Sequence, residues 1–105
     1  MNGYEFIQFI AEMKQIKDFQ RAQELIEYLE FDPKVKIRKM SKGMKQKVGL
    51  VIAFMQDAPL ILLDEPTSGL DPLMQQKFVE LIQSEQKRGK TILMSSHIFE
   101  EIEQT

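Results

Sequence analysis

Residues 60–72 read LILLDEPTSGLDP, and the fold of the chain turns on that stretch. Four large apolar residues, Leu60 to Leu63, run straight into two adjacent carboxylates, Asp64 and Glu65. Pro66 stops the run, and a polar turn containing Gly69 leads to Asp71-Pro72. A short apolar run bounded by breakers predicts a strand buried on both faces. Carboxylates at the C-terminal tip of such a strand stand where open parallel sheets bind ligands. There they can hold a divalent cation through oxygen and aim a water at a phosphate. A solvated loop is the other reading of an Asp-Glu pair, and the motif alone does not separate the two.

Downstream, Asp71 is a preferred N-cap residue and Pro72 a preferred first helical residue. The spacing predicts a helix to about Arg88, with Phe78, Leu81 and Ile82 as its buried stripe and Gly89 ending it. Lys90 to Ser95 reads as a second strand. Strand, helix and strand in so short a span make a βαβ unit with parallel strands. Asp64-Glu65 and Ser96-His97 then leave from the same edge of the sheet. Ile98 to Gln104 begins a last helix.

Upstream, Asn2 and Glu5 resemble a capping box. Phe6, Phe9, Ile10 and Met13 follow at helical spacing, which predicts a helix over Tyr4 to Gln15. Asp18 caps a second helix over Phe19 to Glu30, whose face is Ala22, Leu25, Ile26 and Leu29. The short connection predicts antiparallel neighbours. Lys34 to Met40 is a basic linker. Ser41 is an N-cap for a helix over Lys42 to Gln56, whose second half is apolar all round and therefore predicted to be buried.

The chain has 105 residues, 43% hydrophobic and 29% charged, as in an ordinary globular domain. It contains no cysteine, which excludes disulfides and thiolate metal sites. The net charge of −2 points to no nucleic-acid partner. Charge is nevertheless uneven: half of the 14 basic residues fall between Lys34 and Lys47, with no acid among them. Such a segment is either a solvated basic face or a local field that attracts anions. No apolar run reaches a membrane span and no signal peptide opens the chain, so a cytoplasmic location is expected.

Five features now stand in order: MSKGM opening a helix, LILLDE, SGLD, SSH, and a helical part that precedes the sheet. Together they resemble the C-terminal half of an ATP-binding-cassette (ABC) nucleotide-binding domain. MSKGM is similar to its LSGGQ signature, LILLDE to its Walker B, SGLD to its D-loop and SSH to its H-loop. SKGMKQK with SSHIFEEIE is most similar to ATP-binding subunits of bacterial exporters. The resemblance implies an α/β fold: a helical subdomain over about residues 1–56, then a βαβ piece of a P-loop NTPase sheet over about 57–105. It implies Asp64 holding Mg²⁺ through water, Glu65 as general base and His97 at the γ-phosphate of ATP. Ser41, Lys42, Gly43 and Met44 would bind the γ-phosphate of ATP held by a second nucleotide-binding domain. Ser68 and Asp71 would lie at that dimer interface.

Lys42 and Met44 depart from the signature. Lys42 adds charge near phosphate, while Met44 removes the glutamine amide and leaves the backbone site. No G-x-x-x-x-G-K-[ST] occurs, so the resemblance implies a piece truncated at both ends. Such a piece is expected to bind ATP and Mg²⁺ weakly, to be inactive alone, and to self-associate. Leu60–Leu63 and Val48–Met55 would then be covered by a neighbouring copy, or the piece would be poorly stable. The parent would be an ATPase peripheral to the inner face of the cell membrane, meeting membrane-spanning subunits through the helical subdomain and powering export. A non-transport ABC factor of translation or repair, or a non-enzymatic interaction module, are the other readings.

Overall fold

The computed structural model describes residues 1–95. Its elements are α1 (Gly3–Met13), α2 (Gln20–Tyr28), a 3₁₀ turn (Ile37–Lys39), α3 (Lys42–Met55), β1 (Leu60–Asp64), α4 (Pro72–Lys87) and β2 (Thr91–Ser95). His97 and the helix expected from Ile98 lie outside the described residues.

The helix starts follow local chemistry. Asn2 accepts from the Glu5 backbone N–H at 2.7 Å, and the Glu5 carboxylate accepts from the Asn2 backbone at 3.1 Å, a complete capping box. Ser41 and Asp71 cap α3 and α4 through the Met44 and Met74 N–H groups, at 3.1 and 2.8 Å. α2 starts differently. Phe19 takes the cap position, while Asp18 accepts from the Gln20 N–H at 2.9 Å.

α1 and α2 do not form a simple packed hairpin: each rests chiefly on α3. The face that α1 buries is Gly3, Ile7 and Ala11, whereas Phe9 and Met13 are exposed. Close approach decides this. A methyl group on Gly3 would stand 3.1 Å from the Pro33 carbonyl oxygen, a backbone atom, so small residues bring α1 against its neighbours. Small residues weigh little in a hydrophobic pattern, which drew the expected face toward the aromatics. The α2 face is as expected, with Ala22, Leu25, Ile26 and Leu29 all buried.

The basic segment doubles back on the start of α1. Gly3 and Tyr4 donate to the Val35 and Pro33 carbonyls, at 3.2 and 2.8 Å, and Asn2 pairs with Lys36 in an antiparallel bridge. α3 is buried through Val48, Leu50, Val51, Phe54 and Met55. This corrects the expectation that Val48–Met55 needs a neighbouring copy. α1, α2 and β1 of the same chain pack against α3.

β1 and β2 are parallel, with Leu60 opposite Thr91 and Asp64 opposite Ser95. α4 crosses between them, completing the βαβ unit. Burial of the strands differs from the expectation. Ile61 is buried and Leu63 and Ile92 pack against the core, but Leu62 is 67% exposed and Leu93 55%. Among the described residues, therefore, one face is covered and the other is open.

Candidate functional site

Asp64 ends β1 and is exposed; Glu65 follows, half-buried, with φ +44°. A left-handed conformation is costly for a residue with a side chain and persists only where surrounding contacts fix it. Two such contacts converge on the Glu65 carbonyl. It accepts from the Ser68 backbone N–H at 3.1 Å, closing the turn, and from Gln46 Nε2 of α3 at 3.1 Å. Leu70 is buried and anchors the far end of the loop, where Gln75 Nε2 donates to its carbonyl at 3.1 Å.

The start of α3 touches the same loop. A Cβ on Gly43 would sit 2.6 Å from the Gly69 carbonyl oxygen. Gly69 has φ +81°, and a Cβ there would meet the Lys42 stem at 3.0 Å and the Gly43 nitrogen at 3.2 Å. Both positions require glycine, one for close approach and one for its backbone conformation as well. Ser41, Lys42, Gly43 and Met44 are thus brought beside the 65–71 loop, with Asp64 and Glu65 at its start and Asp71 at its end. His97 lies outside the described residues.

Shallow space flanks the carboxylate edge. One cleft of about 220 Å³ lies between α3 and the end of β1, reaching Gln46, Gly49, Asp64 and Pro66. Another, about 350 Å³, opens on the uncovered sheet face beside Leu62, Leu93 and Asp64. Among the described residues no group of three or more histidine, cysteine or carboxylate side chains could enclose a metal ion. An Asp-Glu pair fits a cation that keeps waters and takes phosphate oxygens, the habit of Mg²⁺.

Sequence reasoning missed two residues. Gln46 carried no local signal, because its partner lies 19 positions away. Glu85 did carry one: it continues the Phe78, Leu81, Ile82 stripe by helical spacing, and a carboxylate in a buried stripe requires partners. Its side chain is fully buried. Arg21 of α2 donates to it, as do Arg88 at 3.1 Å and Lys90 at 3.1 Å. Burial alone would push the Glu85 carboxyl up, but Lys90, Arg21 and Arg88 together outweigh it and hold the carboxyl below its ordinary range.

Residues 6–103 match the family described as "AAA domain, putative AbiEii toxin, Type IV TA system". An ABC transporter ATP-binding protein of Nostoc sp. is 39% identical over 110 residues, spanning 98% of this chain and 33% of that protein. A solved ATP-binding subunit of an ABC transporter superposes with TM-score 0.83 at 32% identity, over 93% of this chain and 43% of that one. The chain belongs to the family of that AAA-domain model and carries the fold of the ATP-binding domains of ABC transporters. Two further likenesses bear on this ABC chain. The Nod factor export ATP-binding protein I of Rhizobium meliloti is 42% identical over 81 residues, 75% of the ABC chain and 24% of that protein. The dimeric bacterial ABC transporter cassette MJ0796 superposes with TM-score 0.67 at 29% identity, over 74% of the chain and 35% of its own. The chain spans about a third of the length of the curated relatives that it matches over nearly all its residues. No described helix is long and apolar enough to cross a membrane.

Proposed function

We propose that this chain is part of the ATP-binding subunit of a bacterial ABC transporter, and that the whole subunit hydrolyses ATP to power export. The observation that carries this reading is one contact set: the 65–71 loop lies against the first turns of α3 through Gly43, Gly69 and Gln46. It gathers the helix opening SKGM, the strand-end carboxylates and the turn before α4 into one edge. Export is supported by the relative named for Nod factor export.

On this reading Glu65 is the general base, accepting a proton from the water that attacks the γ-phosphate. Asp64 would hold Mg²⁺ through water; when bound, that ion would neutralise charge on the phosphates. The N-terminus of α3, with Ser41, Lys42, Gly43 and Met44, would meet the γ-phosphate of ATP held by a second nucleotide-binding domain. Backbone N–H groups and the helix dipole favour an anion there. The basic run from Lys34 to Lys47 adds attraction over a longer range. Ser68 and Asp71 would face the second domain, and His97 would contact the γ-phosphate. The helical part, residues 1–56, would meet the membrane-spanning subunits, which places the complex at the inner face of the membrane.

Residues 1–105 alone hold no Walker A sequence, and the phosphates of ATP then lack their cradle. The isolated chain should not turn over ATP. In the whole protein Glu65→Gln should lower kcat at least about a hundredfold while leaving ATP binding intact, given what a general base contributes. Wild-type turnover in that variant would reject the reading, as would Glu65-dependent hydrolysis by residues 1–105 alone.

A further inference from the structure

We propose that Gln46 is a positioning residue for Glu65, transmitting the placement of α3 to the carboxylate edge. The inference rests on the reading of Glu65 as general base and adds a residue to it. Gln46 is the one amide side chain in α3 and is half-buried. Its Nε2 donates at 3.1 Å to the Glu65 carbonyl, a bond that crosses from one element to another. The bond to that carbonyl from the Ser68 N–H comes from within the turn itself. The turn fixes the shape of the loop; Gln46 fixes where the loop sits.

The backbone at Glu65 gives that bond its leverage. With φ at +44°, Glu65 occupies a narrow well reached only under constraint. Losing this constraint lets the residue relax toward ordinary backbone geometry, swinging the carboxylate that follows from Cα. A second contact keeps α3 and the loop in step. A Cβ on Gly43 would lie 2.6 Å from the Gly69 oxygen, so the helix start already rests closely on the loop and moves with it. A small shift of α3, of the kind an anion at its N-terminus would impose, therefore reaches Glu65 through Gln46 at one end of the loop and Gly43 at the other. Engagement of one nucleotide by the start of α3 would in this way tune the base that serves the other.

The test uses the whole ABC protein, with Glu65→Gln as the reference. Gln46→Met keeps length and removes the donor. Gln46→Glu keeps shape and offers only oxygens to a carbonyl, and serves if the Met variant does not fold. Either should lower kcat about tenfold, equivalent to about 1.4 kcal/mol, with KM for ATP changed less than about twofold. A purely structural role would instead move KM and the melting temperature with kcat. In a Glu65→Gln background, Gln46→Met should cause no further loss, because the two residues act as a unit. If Glu65→Gln abolishes turnover and both Gln46 variants keep wild-type kcat, the positioning role is wrong and the general base stands. If Glu65→Gln leaves turnover unchanged, the general base fails and the role of Gln46 fails with it.

Discussion

The two glycines inside α3 separate sharply at the residue scale. A methyl at Gly43 meets a backbone oxygen, which cannot rotate away as a side-chain tip can. Gly43→Ala should therefore cost about 1–3 kcal/mol by overpacking and push the 65–71 loop off α3. A methyl at Gly49 meets nothing within 4 Å, and an alanine in mid-helix is favoured over glycine. Gly49→Ala should stabilise this chain by about 0.5–1 kcal/mol. Urea unfolding of the two variants checks both signs; equal behaviour would contradict the packing. In the sequence these residues differ only by context. Gly43 stood out as part of the helix opening similar to LSGGQ, but that its near neighbour is the Gly69 carbonyl, 26 positions on, was not legible, and Gly49 carried no signal at all. Gln46 was not legible at all, since a side chain bonded to a distant carbonyl leaves no periodic trace.

Polar contacts at its two ends fasten α2 to α4 at the element scale. Near the start of α2, Arg21 reaches Glu85; near its end, Tyr28 Oη donates to the Lys77 carbonyl at 2.8 Å and Lys77 Nζ to the Tyr28 carbonyl at 3.1 Å. The pairing runs antiparallel, and it ties the helical part to the βαβ unit. Asp57, in the connection before β1, takes up the outer charges of Arg88 and Lys90. Removing the buried carboxylate leaves Arg88 and Lys90 with Asp57 alone and Arg21 with the exposed Glu24, so Glu85→Ala should cost about 3 kcal/mol, the lower end for breaking a buried pair. Arg21→Gln leaves Lys90 and Arg88 on Glu85 and should cost less, about 1–2 kcal/mol. The pH dependence has a definite sign. The Glu85 and Asp57 carboxyls are both held below their ordinary values of 4.5 and 3.8, Asp57 first by its hydrogen bond from Lys90. Groups lowered in the folded state stabilise it above the unfolded values, and that stability is lost as pH falls through the folded ones. Thermal stability should thus stay level from neutral pH to about 5 and fall below about 4.5. In Glu85→Ala the acid-side fall should be shallower, and an unchanged slope would argue against the network. The α4 stripe was readable from Phe78, Leu81 and Ile82. The missing step was to continue it to Glu85 and ask what neutralises a charge there. The strands were legible as elements, but not their exposure: an apolar run specifies two faces to cover, and whether they are covered depends on what else packs there.

At the scale of the whole molecule, the open sheet face dominates behaviour in solution. Leu60, Leu62 and Leu93 lie on that face and are exposed, on two strands that, among the described residues, pair only with each other. Parallel sheets occur almost only with both faces covered, and two strands alone are marginal in water. Each large apolar side chain left in water forgoes about 1.5–3 kcal/mol of burial. The outer strand edges also present unpaired backbone groups that can template another chain. Residues 1–105 prepared alone should therefore self-associate, with apparent mass in light scattering rising over the micromolar range. The sheet face, not α3, should drive this, because Val48, Leu50, Val51, Phe54 and Met55 are already buried within the chain. Leu62→Lys with Leu93→Glu should accordingly lower the apparent mass toward that of a monomer. The pair adds one charge of each sign, so net charge stays at its wild-type value and cannot account for the change by repulsion. A polar substitution on the solvent side of α3, Lys45→Gln, should leave association as it was. A wild-type chain that stays monodisperse and melts cooperatively as a monomer would mean that the open face is tolerated, and that one covered face suffices to hold this βαβ unit together.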